Sequence, residues 1–381
     1  MNLKLIKSWI FIIGLAFYVT GCSNYQKQKK ILWNDVFSNQ SSKVKYARFF
    51  ELYEYDNITK LVIKSPFDDS NKIVYYLVDT TRDNNLEIDE KHVIKVPLKH
   101  VGVLSATQLA GIKKIGFINN VKGVSDVKYL QDSDIKRRLE LGEIEEIASG
   151  NNFFTEKALL MKMDAIFFSP FKKGQQLEIN NSVPVIPFFD FMEESPLGRA
   201  EWLKFTAAFF AAEKNADTLF ESIATKYELL KKKVEKVKDK PTVFSGKNFN
   251  GQWFVPGGKS YIAKIFTDAG ADYIFKDILS VNSVALDFEV VFHKAESADY
   301  WRLTGGLDTT KNPYDYLQKK NKLYSQFKAF RKHHIIYCDP VATGYFEKGP
   351  LEPHIILSDF IYIFHKDMLP NHKPAYYRLI P

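Results

Sequence analysis

The chain has 381 residues, of which 45% are hydrophobic and 15% aromatic, and its formal net charge is +8. This composition excludes a disordered chain, and the length is sufficient for two domains. The positive charge is spread along the sequence without a basic, aromatic-rich cluster, which argues against a nucleic-acid partner.

Residues 1–22 have the pattern of an export signal. Two lysines precede the uncharged run SWIFIIGLAF, which is shorter than the roughly 20 residues that a membrane-spanning helix needs. The small residue Gly21 then leads directly to Cys22, which resembles the lipobox that lipoprotein signal peptidase cleaves. We therefore expect a signal peptide at residues 1–21 and a lipid on Cys22 that anchors the protein to a membrane on its periplasmic side. A plain signal peptide or an uncleaved anchor is the alternative.

The next two segments differ in composition. Residues 22–45 are rich in Ser, Asn, Gln and Lys, which predicts a polar tether behind the lipidated cysteine. Residues 46–90 contain the β-branched and aromatic runs ARFFELYEYD, KLVIKS and KIVYYLVD, with the turn cluster SPFDDSN before the last run. Such runs predict antiparallel strands and a small β-rich N-terminal extension. The second cysteine of the sequence is Cys338, so lipidation of Cys22 leaves the fold without a disulfide.

Strands and helices alternate in the two halves of the remaining chain. Residues 91–200 contain the strand-like runs HVIKVPL, HVGVLS, VKGVSD, DAIFFS and VPVIPF, with helical spacing at 107–115 and 154–163. Residues 241–381 repeat the alternation, from the strand TVFSG to the closing helix ILSDFIYIFH. Alternation of this kind predicts βαβ units and mostly parallel sheets, and therefore two Rossmann-like α/β lobes.

Residues 201–240 separate the two lobes and have helical periodicity. The pattern runs from Glu201 to Val237 with an interruption near Asn215, and Pro241 ends it. The part after the interruption has no Gly or Pro and would span about 35 Å as an α-helix. We therefore predict an α/β protein whose two lobes are joined by one long rigid helix.

Six stretches occur in the same order as in a known family. They resemble the substrate-binding proteins of ABC importers for iron-siderophore complexes, haem and cobalamin, in the lipoprotein form of Bacteroidetes-type bacteria. The stretches are VPLKHVGVLSATQLAGI, ASGNNFFTEKALLMKMDAIFF, EESPLGRAEWLKF, WFVPGGKSYIAKIFTDAGADYIFKD, LDFEVVFHKAESADYW and YFEKGPLEPHIILSDFIYIFHKDMLP. The resemblance extends from about Val93 to Leu379, and the β-rich segment resembles the N-terminal extension of that form. The sequence departs from the family at His100, Met163 and His354, where Arg, Pro and Asp respectively are usual.

The resemblance implies a binding protein rather than an enzyme. Such a protein captures a ligand in the cleft between its lobes and delivers it to the permease of an ABC importer, which works with an ATPase. We expect a monomer without a resident cofactor, and a ferric siderophore, haem or cobalamin as the ligand.

The resemblance also implies roles for particular residues. In this family one Glu on each lobe docks into arginine pockets of the permease, and the matching positions are Glu156 and Glu289. From sequence alone these glutamates are better explained as acidic residues favoured in the first turn of a helix, and the resemblance favours the docking role. Six residues in matching loops are the expected ligand contacts: Ser105, Thr107, Trp253, Arg302, Tyr345 and Phe346. Core packing of the aromatic rings and a surface ion pair of Arg302 are the alternative explanations.

Enzyme and metal sites have weaker support in the sequence. Gly258-Lys259-Ser260 matches the end of a phosphate-binding P-loop, but Trp253 stands where that motif requires Gly. No metal site is expected, although a zinc-binding protein that uses Glu347, His354 and His100 remains an alternative. An exported enzyme or structural lipoprotein with the same fold is the other alternative.

Overall fold

The computed structural model describes residues 36–82, 92–177, 179, 183–308 and 312–381. The predicted signal peptide and Cys22 lie outside these ranges. Among the described residues, no helix combines the length and the apolar character needed to cross a membrane.

The N-terminal extension is a four-stranded sheet. Its strands, in the order in which they pair, are β1 (Phe50–Tyr55), β2 (Ile58–Ser65), β3 (Asp68–Asp79) and β4 (Val93–Val96). The first three are antiparallel, as their alternation predicts, whereas β4 is parallel to β3. The sheet therefore includes residues 93–96, which the sequence analysis assigned to the first lobe.

The described part of the predicted tether is not a free linker. The side chain of Phe37 is 4% exposed, and its ring centroid lies 6.4 Å from that of Tyr55 and 6.2 Å from that of Tyr76. Residues 43–45 lie against the helices that connect the lobes. The prediction of a tether over residues 22–45 is therefore wrong for residues 36–45, because apolar and backbone contacts hold them to the body.

The first lobe is a mostly parallel sheet with helices. It consists of β5 (Val101–Val103), α1 (Ala106–Lys114), β6 (Val121–Ser125), α2 (Ser133–Glu140), β7 (Glu145–Ser149), β8 (Asn152–Phe153), α3 (Thr155–Leu160), β9 (Ala165–Phe168) and β10 (Val185–Pro187). The strand order is β10-β9-β5-β6-β7-β8, and β8 is antiparallel to its neighbour β7. The strands β5 and β9 are apolar throughout because both faces of a parallel sheet are covered.

Two consecutive helices, rather than one, connect the lobes. They are α4 (Pro196–Ala208) and α5 (Glu213–Val234). Ser195 caps α4 by accepting a hydrogen bond from the N–H of Gly198 at 2.9 Å, and Pro196 fills the first turn. The break falls at residues 209–212, earlier than the predicted interruption near Asn215, and Ala211 adopts a φ of +51° there. At 1.5 Å per residue, the 22 residues of α5 span about 33 Å.

The second lobe repeats the arrangement of the first. It consists of β11 (Thr242–Ser245), β12 (Asn248–Phe249), β13 (Gln252–Val255), α6 (Tyr261–Asp268), β14 (Asp272–Tyr273), β15 (Val284–Asp287), α7 (Phe288–Ala295), β16 (Tyr300–Thr304), α8 (Pro313–Lys320), α9 (Lys328–Arg331), β17 (Ile335–Cys338), α10 (Tyr345–Lys348), α11 (Pro353–Phe364) and β18 (Arg378–Leu379). The main sheet has the order β14-β11-β16-β17-β18, and β12, β13 and β15 form a small antiparallel sheet.

The two main sheets correspond strand by strand. In the first lobe, β6-β5-β9-β10 are neighbours, and β14-β11-β16-β17 take the same places in the second. In each set an aspartate stands just before the third strand. Its carboxylate accepts hydrogen bonds from backbone N–H groups at or just before the start of the second strand. Asp164 accepts hydrogen bonds from the N–H groups of Lys99 and His100, and Asp299 accepts one from Thr242. The predicted fold class, two Rossmann-like α/β lobes with a connecting helical segment and a β-rich extension, is confirmed.

Candidate functional site

The two lobes meet through segments that follow the carboxyl ends of their strands. The helix α10, which follows β17, packs on α1, which follows β5. Glu347 on α10 accepts hydrogen bonds from the backbone N–H groups of Gln131 and Asp132 in the first lobe, at 2.7 and 3.1 Å. Ligands of open α/β sheets bind outside the carboxyl ends of the strands, so this seam is the candidate functional site.

Ser105 and Thr107 lie at the start of α1, on the first-lobe side of the seam. The Ser105 hydroxyl accepts a hydrogen bond from the N–H of Thr107 and lies 3.1 Å from its hydroxyl. Nearby, Gln108 is buried, accepts from the N–H of Leu104 and donates to the hydroxyl of Ser169 at 3.1 Å. Gln108 therefore holds together the loops that follow β5 and β9. Sequence reasoning missed it because its partner lies 61 residues away.

On the second-lobe side, Arg302 lies on β16 among tyrosines. One terminal nitrogen of its guanidinium donates to the Ser245 hydroxyl at 3.1 Å and the other donates to the Tyr377 hydroxyl. Its Nε is buried without a hydrogen-bond partner in the described chain, and no described carboxylate forms an ion pair with it. Because a guanidinium stays protonated, Arg302 is a cation without a counter-charge among these residues.

Tyr345 and Phe346 begin α10 and differ in exposure. The side chain of Tyr345 is buried, and burial raises the pKa of its hydroxyl. That hydroxyl lies 3.4 Å from the hydroxyl of Tyr261, and the Tyr345 ring packs edge-on against the ring of Tyr377. Phe346 is 48% exposed and packs against Tyr345. Of the two, Phe346 is therefore available to a ligand without rearrangement of the chain.

The tyrosines lead to a second buried arginine that the sequence analysis did not identify. The guanidinium carbon of Arg199, on α4, lies 4.6 Å from the ring centroid of Tyr261, and its Nε donates to Asp190 at 3.1 Å. Burial, the largest influence, raises the pKa of the Tyr261 hydroxyl, but the positive charges of Arg199 and Arg302 and the hydrogen bonds with Tyr345 and Arg199 together lower it below its usual value. A cavity of about 10 Å³, the size of one water molecule, lies between Arg199, Tyr261 and Tyr345.

These side chains form one cluster across the seam, which we call the arginine–tyrosine cluster: Arg199, Tyr261, Arg302, Tyr345 and Tyr377. Asp190, at its first-lobe end, lies three residues after the end of β10, and Arg302, at the other end, lies two residues before the end of β16. The cluster therefore joins the carboxyl ends of strands from both lobes. Its charges and hydroxyl groups are suited to an anionic or oxygen-rich ligand.

Trp253 does not belong to this site, and its prediction as a ligand contact is wrong. Its side chain has no exposed surface, and its indole N–H donates to the carbonyl of Ser245 at 3.1 Å. The ring packs against Trp301 and Phe244 in the core of the second lobe. Along β13, exposed and buried residues alternate, and Trp253 occupies an inward position.

Glu156 and Glu289 occupy corresponding positions on the two lobes. Each lies in the first turn of the helix that leads into the third strand of its sheet, α3 before β9 and α7 before β16. Both side chains are exposed, and neither is in an ion pair with any residue that the structure describes. They are accessible to a partner protein, and their role in docking stays a prediction.

The residues considered for zinc are not grouped. His100 is exposed, whereas His354 has a buried Nδ1 without a partner in the described chain, and burial lowers the pKa of its ring to about 4. Glu347 is already bound to backbone N–H groups. Across the described ranges no three His, Cys, Asp or Glu side chains are placed to share a metal ion, so the zinc alternative has no site there.

Comparison with known proteins identifies the family. The chain is 27% identical to an uncharacterized lipoprotein of Methanocaldococcus jannaschii, over 98% of this chain and 96% of that protein. A second uncharacterized lipoprotein of the same organism is 25% identical over 96% of each chain.

Solved structures share the fold at low sequence identity. A periplasmic haem-binding protein from Pseudomonas aeruginosa superposes with a TM-score of 0.56 at 16% identity, covering 73% of this chain and 95% of that one. The periplasmic catecholate-siderophore binding protein of Vibrio cholerae gives a TM-score of 0.55 at 15% identity, covering 70% and 94%. The family model described as periplasmic binding protein matches residues 101–342, more than half of the chain. The chain therefore belongs to the periplasmic binding protein family.

Proposed function

We propose that this protein is the substrate-binding component of an ABC importer and that it captures an iron complex, a siderophore or haem, or else cobalamin. The observation that carries the proposal is the arginine–tyrosine cluster, which joins the two lobes of a periplasmic binding protein and contains Arg302 without a carboxylate partner among the described residues. An anionic ligand would supply the missing charge, and a charge-assisted hydrogen bond to it would contribute about 1.5–3 kcal/mol.

The ligand contacts that we propose are Ser105, Thr107, Arg302, Tyr345 and Phe346. Phe346 offers an exposed ring beside the seam, and aromatic rings pack well on flat or chelated ligands. Ligand entry requires Tyr345 to move, because its ring now fills the space between Tyr261 and Tyr377. No turnover of the ligand is expected.

We further propose that Glu156 and Glu289 dock the protein to the permease. The two carboxylates lie at corresponding places on two lobes, which would fix the orientation of the body on its partner. Uptake tests this role. Replacing both residues with Gln should abolish ligand uptake by cells while leaving ligand affinity unchanged, and a loss of affinity would contradict the assignment.

The third part of the proposal is a lipid on Cys22 that anchors the protein on the periplasmic side of a membrane. A tether keeps the binding protein close to its permease and so raises their effective concentration. Incorporation of a labelled fatty acid should occur in the natural chain and not in Cys22→Ser. Labelling of both proteins, or of neither, would contradict this attachment.

Binding of the ligand is tested on the purified chain that starts at residue 23. The chain is expressed with each candidate ligand present, and its visible absorption is recorded after gel filtration. Bands of a bound ferric siderophore, haem or cobalamin are expected, and they should be weaker by roughly tenfold or more at limiting ligand in Arg302→Met. Conversion of the ligand would instead favour an enzyme.

A further inference from the structure

The chain segment Lys43–Phe49 lies against the two connecting helices rather than against one lobe alone. It lies outside residues 101–342, which the family model matches. Five consecutive backbone N–H groups of this segment, from Lys45 to Phe49, donate hydrogen bonds to two side-chain carboxylates. We call residues 43–49 the strap.

The carboxylates that hold the strap are completely buried. Glu201, on α4, accepts from the N–H groups of Lys45, Tyr46 and Ala47 at 2.6–2.9 Å. Glu193 precedes α4 and accepts from the N–H groups of Arg48 and Phe49 at 3.0 and 3.3 Å, and from the indole of Trp202. A buried carboxyl group is tolerated only when its oxygens are well bonded, so the strap and the start of α4 depend on each other.

A lysine joins the strap to both connecting helices at once. Lys204, on α4, is buried and donates to the carbonyl of Lys43 at 3.2 Å. The same ammonium group forms ion pairs with Glu201 on α4 and with Asp217 on α5. The strap therefore contributes to the joint between α4 and α5, close to the break at residues 209–212.

The strap also contacts the hydrophobic cores of both lobes. The ring of Tyr46 packs against Phe220 of α5, with ring centroids 5.8 Å apart, and belongs to the edge of the second-lobe core. In contrast, Val44, Ala47 and Phe49 pack against the core of the first lobe and the extension. A relative rotation of the lobes must therefore disrupt one of these two sets of contacts.

The backbone of α4 comes close to the strap at one point. A Cβ atom at Gly198 would lie 3.0 Å from the carbonyl oxygen of Tyr46 and 3.1 Å from the Glu193 carboxylate. These contacts are tighter than ordinary packing allows, so a larger residue there would displace the strap. The fit is consistent with a segment built to lie in this position.

We infer that the strap is a brace on the hinge that restricts the relative movement of the two lobes. The inference concerns the ligand-free protein and does not depend on which ligand the cleft takes. Because α4 and α5 connect the lobes, a segment that bonds to α4, packs against α5 and contacts both cores limits the angles that the lobes can adopt.

Spin labels on the two lobes test the brace in the purified chain that starts at residue 23 and so lacks Cys22. Glu140, at the end of α2, and Lys319, on α8, are exposed and are replaced with Cys for labelling. The natural Cys338 is buried, and burial raises the pKa of its thiol to about 11, so it should not react. Pulsed electron paramagnetic resonance then gives the distribution of distances between the lobes, and hydrogen exchange reports on the strap.

The variants are Glu193→Gln with Glu201→Gln, and separately Tyr46→Ala. Each Gln places a donating NH₂ group against backbone donors, so exchange of the amides of residues 45–49 should accelerate roughly tenfold or more. The interlobe distance distribution should broaden in the double variant and in Tyr46→Ala. Glu194→Gln is the matched control, because Glu194 pairs with the Arg48 side chain rather than with the backbone of the strap, and it should behave as the natural protein.

Circular dichroism first verifies that each variant is folded. Unchanged exchange in the double variant would show that the carboxylates do not hold the strap. Faster exchange with an unchanged distance distribution would show that the strap is held but does not restrain the lobes. Either result would overturn the inference, as would a Tyr46→Ala protein whose distances match those of Glu194→Gln.

Discussion

Asp359 on α11 organises the C-terminal tail beneath Arg302, and its replacement makes a quantitative prediction. The side chain has no exposed surface. One carboxylate oxygen accepts from His372 at 2.6 Å and the N–H of Ala375 at 3.1 Å, and the other accepts from the N–H groups of Tyr376 and Tyr377 at 2.7 and 2.9 Å. One buried carboxylate thus satisfies four donors.

The substitution Asp359→Asn keeps the shape but removes half of this acceptor capacity. Whichever way the amide is oriented, its NH₂ group faces two donors that then have no acceptor. Each unsatisfied buried donor costs about 1–3 kcal/mol, and His372 is exposed enough to regain water. With the NH₂ group turned toward His372 and Ala375, one donor stays unsatisfied, and we therefore expect the free energy of unfolding to fall by about 1–3 kcal/mol.

Urea unfolding measures this loss, provided that the dependence of the unfolding free energy on urea concentration is the same in the variant and the natural protein. Asp315→Asn, an exposed aspartate on α8, is the control and should change stability by no more than about 0.5 kcal/mol. A loosened tail also displaces the Tyr377 hydroxyl that accepts a hydrogen bond from Arg302, so ligand affinity should fall as well. A loss of stability below about 1 kcal/mol in Asp359→Asn would refute the reasoning.

Three further predictions concern the core, the hinge and pH. Trp253→Phe should lower stability, because the hydrogen bond to the Ser245 carbonyl is lost, but should change ligand affinity less than twofold. A larger change in affinity would show that Trp253 belongs to the binding site. Ala211→Gly should raise the urea midpoint, by about 0.5–1 kcal/mol of stability, because φ there is +51°, and a lower midpoint would contradict this. Burial raises the pKa of Glu193 from 4.5 to about 7. Its contribution to stability is therefore complete below pH 4.5 and is lost as the pH rises through 7, a trend that Glu193→Gln should not show.

The fold was predictable because its signals are local. The strand β9, with the sequence Ala-Ile-Phe-Phe, is apolar on both faces, which is the pattern of a parallel strand covered by helices. The small antiparallel sheet was harder to predict from the sequence, because the face on which Trp253 lies depends on pairing with β15, more than 30 residues away. The alternation of exposed and buried positions along β13 was nevertheless a local signal that its ring points inward.

Three of the five residues of the arginine–tyrosine cluster, Arg199, Tyr261 and Tyr377, could not be derived from the sequence. Arg302 lies on β16 and Tyr345 begins the helix that follows β17, near the strand ends where ligand contacts are expected in α/β proteins. Arg199 and Tyr261 lie on helices of different segments and meet only through the packing of α4 against the second lobe. The strap depends on bonds between residues about 150 positions apart, from Lys45 to Glu201 and from Arg48 to Glu193, for which no sequence pattern exists.

Equilibrium titration of the purified chain tests the central claim most directly. The protein from residue 23 onward is titrated with a ferric siderophore, haem and cobalamin, beside Arg302→Met, and the ligand is recovered afterwards for analysis. We predict saturable binding of one ligand class at one molecule per protein, weakened roughly tenfold or more in Arg302→Met, with the ligand recovered unchanged. Absence of saturable binding for all three ligands, or recovery of a converted ligand, would contradict the account.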